Sequence, residues 1–181
     1  LFDGNFLALT RAAGTDTRRL AVHSRWENPF RGQLGDLYRF DVGLKTDLYH
    51  TNSLAREGSK SEYTGVAYRL FPYANLEWQL PLLKSDGAIR QTLEPVASIA
   101  MAPNGGNSEK IPNEDSTDFE FDETSIFSIN RFGGIDRVEG GPRINYGLKW
   151  GIFGKGNSSS TAFIGQTYRF RTDSTFSSGS G

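Results

Sequence analysis

The sequence predicts an all-β fold, an antiparallel meander of about eight or nine strands. Apolar and polar residues alternate with a period of two in one segment after another, which places successive side chains on opposite faces of a strand. The apolar runs are short, and none approaches the roughly 18 residues of a membrane helix. Clusters of turn formers separate the alternating stretches, as hairpins require.

Candidate strands run Gly4–Ala12, Arg19–Glu27, Tyr38–His50, Glu62–Leu70, Ala74–Leu82, Ile89–Met101, Arg143–Phe153 and Thr161–Arg171, with Asp118–Phe127 as a ninth. In the second, Leu20, Val22 and Trp26 oppose Arg19, Ala21, His23, Arg25 and Glu27. The third has the clearest pattern: Tyr38, Phe40, Val42, Leu44 and Leu48 share one face, and Arg39, Asp41, Lys45 and Asp47 share the other. Burying that second face in a dry core would be very costly. In the fifth, Leu76, Trp78, Leu80 and Leu82 oppose Asn75, Glu77, Gln79 and Pro81. Pro81 donates no ladder bond, so a strand end or a bulge is expected there. Turns are expected at Gly14-Thr-Asp16, Pro72-Tyr73, Ser85-Asp-Gly87 and Lys155-Gly-Asn157. The stretch 102–121 is polar and acidic and carries two prolines, so it reads as one extended loop.

Alternation fits two settings, a soluble sheet with one wet face and an outer-membrane barrel with a wet lumen. A mean hydropathy of −0.48 does not separate them, because half of each barrel strand is polar. The 21 glycines and the 13 Phe, 7 Tyr and 3 Trp fit a barrel as well. Trp26, Phe30, Tyr49, Phe71, Tyr73, Phe153 and Phe170 fall near predicted strand ends, where interfacial girdles would sit. A net charge of −1 gives no basic excess for nucleic acid. Without cysteine there are no disulfides, thiol nucleophiles or thiolate metal sites. The chain starts at Leu1 with no charged and apolar leader, so any secretion signal is expected outside it.

The segment Ile126–Phe153, IFSINRFGGIDRVEGGPRINYGLKWGIF, joins a charged, glycine-rich loop to a strand with two unlike faces. Leu93-Glu-Pro95, the acidic loop after it, and the spacing of Asn130-Arg131, Gly134, Asp136-Arg137, Glu139, Arg143 and Tyr146-Gly147-Leu148 resemble the LptD (organic solvent tolerance) family of lipopolysaccharide-assembly proteins. Gly165 to Phe170 resembles the next strand of that family. The resemblance implies a section of a large outer-membrane β-barrel of a Gram-negative bacterium, occupying 1–175, with loops at about 102–121 and 128–143; the Ser/Gly-rich composition of 176–181 reads as a flexible tail. It further implies lipopolysaccharide transport without bond chemistry or cofactor. The partners would be an LptE-type lipoprotein plug, periplasmic bridge proteins and outer-membrane lipid.

Asn130, Arg131, Gly134, Asp136, Arg137, Glu139, Arg143, Tyr146 and Gly147 are the candidate site residues, a family-motif loop that is structural or touches the lumen or lipopolysaccharide. The structural reading is a salt-bridged loop folded against the wall. The sharper one uses the arginine forks for lipid A phosphates. Gly133-Gly134 and Gly140-Gly141 read as positions of positive φ or close backbone approach, not phosphate cradles. The acidic residues of 109–123 offer oxygen ligands but match no calcium-loop spacing, which favours a solvated loop. His23 and His50 lack a partner motif and read as wall residues. No catalytic serine or histidine constellation stands out. Two rival readings are a small complete outer-membrane barrel and a soluble, sugar-binding β-sandwich whose apolar faces pair with each other.

Overall fold

Eight antiparallel strands form one sheet in the computed structural model, which describes residues 1–56, 61–116, 125–156 and 158–171. They are β1 (Phe2–Leu9), β2 (Asp16–Arg31), β3 (Leu37–Leu54), β4 (Tyr63–Gln79), β5 (Leu82–Asp86), β6 (Ile89–Met101), β7 (Arg143–Phe153) and β8 (Ser159–Arg169). The spatial order is β1-β2-β3-β4-β6-β7-β8, with β5 beside β6. Among the described residues there is no helix. The expected ninth strand lies mostly outside the described residues, and its last part, Ser125–Phe127, is a turn.

β6 and β7 have the bounds that alternation predicts, whereas β2, β3 and β4 run longer. The expected turn at Pro72-Tyr73 is corrected: β4 passes straight through it, with Pro72 opposite Leu44 and Tyr73 opposite Gly43. Proline is tolerated there because β4 pairs with β6 only from Ala74 to Gln79, so no β6 partner lies beside Pro72. The Tyr73 ring lies over Gly43, where any Cβ would collide with it.

Restoring β4 to one strand makes the loops obey a simple rule. Residues 32–36, 87–88 and 154–158 link strands at one end, and 10–15, 55–62 and 102–142 link them at the other. Short turns at one rim and long loops at the opposite rim are the pattern of outer-membrane barrels. The tightest link is Gly87-Ala88, between the pair Asp86 and Ile89, where Gly87 takes a φ of 57°.

β4 and β5 are two parts of one ladder line. Register is unchanged from Gln79↔Val96 to Leu82↔Leu93, and the break between them holds Pro81 on one side and Pro95 on the other. Neither proline has an N–H to donate. Leu80 N still donates to Pro95 O at 3.1 Å.

The two faces of the sheet reverse the polarity of a water-soluble core. The buried side carries Arg19, Asp41, Asp47, Arg69, Asn75, Glu77, Ser98, Arg143 and Asn145. The outward side leaves Leu20, Trp26, Leu48, Val66, Tyr68, Leu70, Leu76, Ile99, Leu148 and Ile164 exposed, and among the described residues no second sheet covers them. Of the aromatics expected in girdles, Trp26, Phe30 and Phe170 do face outward near strand ends. At the short-turn rim Phe30 stacks on Tyr38 at 4.8 Å and Trp26 meets Phe40 edge-on at 6.0 Å. Tyr49, Phe71 and Tyr73 are corrected: they point inward and are buried, because they share the odd-numbered face of β3 and β4.

Candidate functional site

After Met101 the chain stops pairing with β4, although β4 continues up to Tyr63, and crosses the polar face of the sheet. Gly105 and Gly106 make this turn with φ of 77° and 101°. The returning limb passes close enough that a Cβ on Gly140 would lie 2.5 Å from Gly105 O and 2.7 Å from Pro103 O. Gly141 N donates to Pro103 O at 2.9 Å and closes the neck of the loop. Inside it, the Asn107 side chain acts as a strand partner for Val138, accepting from its N–H at 2.9 Å and donating to its carbonyl at 2.7 Å.

Two buried carboxylates fix the loop to the sheet. Asp136 Oδ1 accepts from Arg19 at 2.5 Å and from the Tyr49 hydroxyl at 2.9 Å. Its Oδ2 accepts from the backbone N–H of Glu114 at 2.7 Å and of Asp115 at 3.3 Å. Asp115 returns the favour, its Oδ1 accepting from Ile135 N at 3.0 Å and Asp136 N at 3.1 Å. Arg69 completes this centre, bound to Asp47 through Nε at 2.6 Å while donating to Asp136 O at 2.7 Å and Ile135 O at 2.8 Å. Every one of these sheet partners sits on β2, β3 or β4.

Glu139 looks the other way. Its carboxylate pairs with Arg131 of the loop, Arg143 of β7 and Arg169 of β8, and the Arg131 Nε contact is 2.8 Å. Arg143 also donates to Ser128 O at 2.8 Å and Ile129 O at 2.7 Å, and Arg131 reaches Thr167 Oγ1 at 3.2 Å. Side chains this deeply enclosed need opposite charges beside them, because each unpaired charge would cost several kcal/mol. Glu139 and Arg143 are 0% exposed and Asp136 is 1%.

The family model described as LptD: LPS transport system D matches residues 2–181. The chain belongs to the LptD family. LptD proteins act in lipopolysaccharide transport and assembly at the Gram-negative outer membrane, a transport task and not an enzymatic one. No curated protein matches the chain.

The motif that resembles LptD is thus the part of the chain that builds both carboxylate centres, and the structure divides it. Asp136 faces β2–β4, and Arg131, Glu139 and Arg143 face β7–β8. Asn130 braces the second group, accepting from Glu139 N at 3.0 Å and donating to Arg137 O at 3.1 Å. Gly134, at φ 76°, lies against the Asp115 carbonyl where no Cβ fits. Arg137 is half-buried, and its backbone N donates to Ser116 Oγ at 3.0 Å. Gly147 makes room for the Phe163 ring. Tyr146 stands apart on the outward face, with its hydroxyl donating to Gln166 at 2.6 Å.

The sequence reading left Arg69 unnamed and placed Tyr49 in a girdle, although both lie on the polar face that alternation defines. Of the acidic stretch 109–123 expected to be solvated, 117–123 lie outside the described residues, and the described part, 109–116, is docked on the sheet, since Ile111 packs with Tyr49 and Ala67. Glu114 binds Arg11 at 2.6 Å and Thr17 at 2.7 Å, and the Arg11 hydrogen bond holds its carboxyl below the ordinary range. Burial alone would raise Asp115, yet the N–H groups of Ile135 and Asp136 and the Arg19 guanidinium bring it down to about 2. His23 bonds the Tyr73 hydroxyl at 2.7 Å, as a wall residue would. Among the described residues no cluster of three or more His, Asp or Glu is placed to hold a metal.

Proposed function

We propose that this chain is an internal section of the LptD barrel wall, part of the translocon that inserts lipopolysaccharide into the outer leaflet. The supporting observation is the reversed polarity of the sheet, apolar outward and charged inward, within a member of a lipopolysaccharide-transport family. A lipid-facing band and a wet lumen together allow an amphipathic lipid to move without exposing either half to the wrong solvent. In this reading 1–175 belongs to the wall, with 102–142 as a single lumenal loop, and the long-loop rim is extracellular while the short-turn rim is periplasmic. The lumen receives an LptE-type lipoprotein plug, and lipopolysaccharide arrives from periplasmic bridge proteins. The motif residues Asn130, Arg131, Gly134, Asp136, Arg137, Glu139, Arg143 and Gly147 serve as architecture, holding the loop in place.

Leu148→Arg on the outward face and Thr92→Arg on the inward face, each placed in the full-length protein, test the reading. Surface lipopolysaccharide and the amount of heat-modifiable folded barrel should fall with Leu148→Arg and hold with Thr92→Arg. The reverse ranking would sink it.

A further inference from the structure

Outward side chains form rows across the first four strands, because the ladders hold β1 to β4 in register. Phe6, Leu20, Leu48 and Tyr68 make one row, and all four are exposed. The next row toward the long-loop rim reads Ala8, Arg18, His50 and Val66. Arg18 and His50 therefore stand directly opposite each other, both exposed. From there to the short-turn rim, β2 and β3 carry no other Arg, Lys, His, Asp or Glu on the outward face.

Neither side chain is engaged by the protein itself. Among the described residues Arg18 and His50 have no hydrogen-bond or ion-pair partner. The carboxylate two positions along β2, Asp16, accepts from the Arg11 backbone N–H at 2.8 Å. A guanidinium fork beside an imidazole N–H suits the oxygens of a phosphate, and the apolar row next to it suits hydrocarbon chains. A phosphomonoester, with about −1.5 to −2 charges and three acceptor oxygens, uses both donors better than a singly charged phosphodiester does.

The height of the pair agrees. On the β4–β5 line the even-numbered positions from Val66, opposite His50, to Leu82 are all uncharged, and the next outward charge is Lys84, opposite Gln91. At ~3.3 Å per residue and a tilt of about 45°, the stretch from Val66 to Lys84 rises about 42 Å, against roughly 40–45 Å for a bilayer with its headgroups. Arg18 and His50 thus lie at one headgroup level and Lys84 at the other.

We propose that Arg18 and His50 clamp a phosphate of an outer-leaflet lipid A on the outside of the wall, with its acyl chains laid along Phe6, Leu20, Leu48 and Tyr68. The clamp rests on the wall reading, which puts the long-loop rim in the outer leaflet. The lipid held there is a resident of the outer surface, separate from cargo in the lumen, and it ties the tall β1–β4 stretch to its leaflet.

Photocrosslinking of the full-length protein with its partners, in detergent, tests the clamp. Tyr68→p-benzoylphenylalanine puts a probe on the apolar row, and diphosphoryl lipid A, the dephosphorylated lipid or phosphatidylglycerol is added at equal concentration. Diphosphoryl lipid A should give an adduct, and removing its phosphates should lower the yield about fivefold or more. Arg18→Ser with His50→Ser should lower it as far, while Lys84→Ser at the other rim leaves it unchanged. Equal yield from phosphatidylglycerol, or a yield indifferent to the double variant, would overturn the clamp and leave the wall reading standing. Adduct from Thr92→p-benzoylphenylalanine on the inward face, with none at position 68, would overturn both. Yields are taken per heat-modifiable folded barrel, and if the double variant folds poorly, the single variants Arg18→Ser and His50→Ser decide by the same comparison.

Discussion

At Asp136 four donors converge on one carboxylate, from three separate parts of the chain. Arg19 arrives from β2, Tyr49 from β3 and the Glu114 and Asp115 N–H groups from the loop itself. Asp136→Ala should therefore cost about 3–5 kcal/mol of unfolding free energy, because the buried Tyr49 hydroxyl and the Glu114 N–H lose their acceptor and Arg19 keeps only the half-exposed Asp115 as counter-charge. Urea titration of the refolded full-length protein checks the value. The neighbouring pair Glu114 and Asp115 sets a pH limit on the same anchorage. Both have folded-state values below the unfolded ones, so their contribution is complete above the ordinary carboxylate range near 4 and is lost as pH falls toward about 2. Peptic cleavage within 102–142 should stay slow at pH 5 and rise between pH 4 and 2; cleavage that is already fast at pH 5 would contradict this. The motif was legible as one cluster of alternating charge. Its division was not, because which way residues 136 and 139 point depends on an irregular backbone that has no period to read.

β4 shows where element-scale reading succeeds and fails. Alternation located both halves of the strand, and the faces it assigned to Leu76, Trp78 and Glu77 hold. A proline followed by a tyrosine looked like a turn only because the missing partner on the β6 side leaves no sequence mark. β6 and β7 were legible to the residue, since each ends where alternation gives way to a turn or a glycine-rich limb. The 102–142 loop was invisible as a packed element, because its partners are single side chains scattered over several strands and not a repeating pattern. Its neck should be sensitive to small changes. In Gly140→Ala the new methyl meets two backbone carbonyls, so the limbs must part, at about 1–3 kcal/mol. The same titration measures it, and a loss under 0.5 kcal/mol would show that the limbs are not in contact.

For the whole molecule, the decisive pattern is which side of the sheet is buried. A sandwich would pair its apolar faces, yet here the apolar face is open and the charged face is covered by the chain's own loop. Leu148→Arg should accordingly weaken folding into liposomes by about 2–4 kcal/mol if Leu148 lies near the bilayer midplane, and by less toward either interface. Comparing bilayers of two thicknesses would report the depth.

The link between β6 and β7 also bears on the order in which the sheet assembles. β2, β3 and β4 follow one another through short connections, whereas Met101 and Arg143 must find each other across residues 102–142. The cost of loop closure grows only with the logarithm of length, but the ion pairs of Asp136 and Glu139 cannot all form until both sides of the sheet exist. The three long strands are thus set to form early, β7 and β8 to join them later, and the buried arginines to lose their water last. A chain stalled before that final step would display unquenched charge on one face and bare hydrocarbon on the other, the state in which an assembly chaperone has most to recognise.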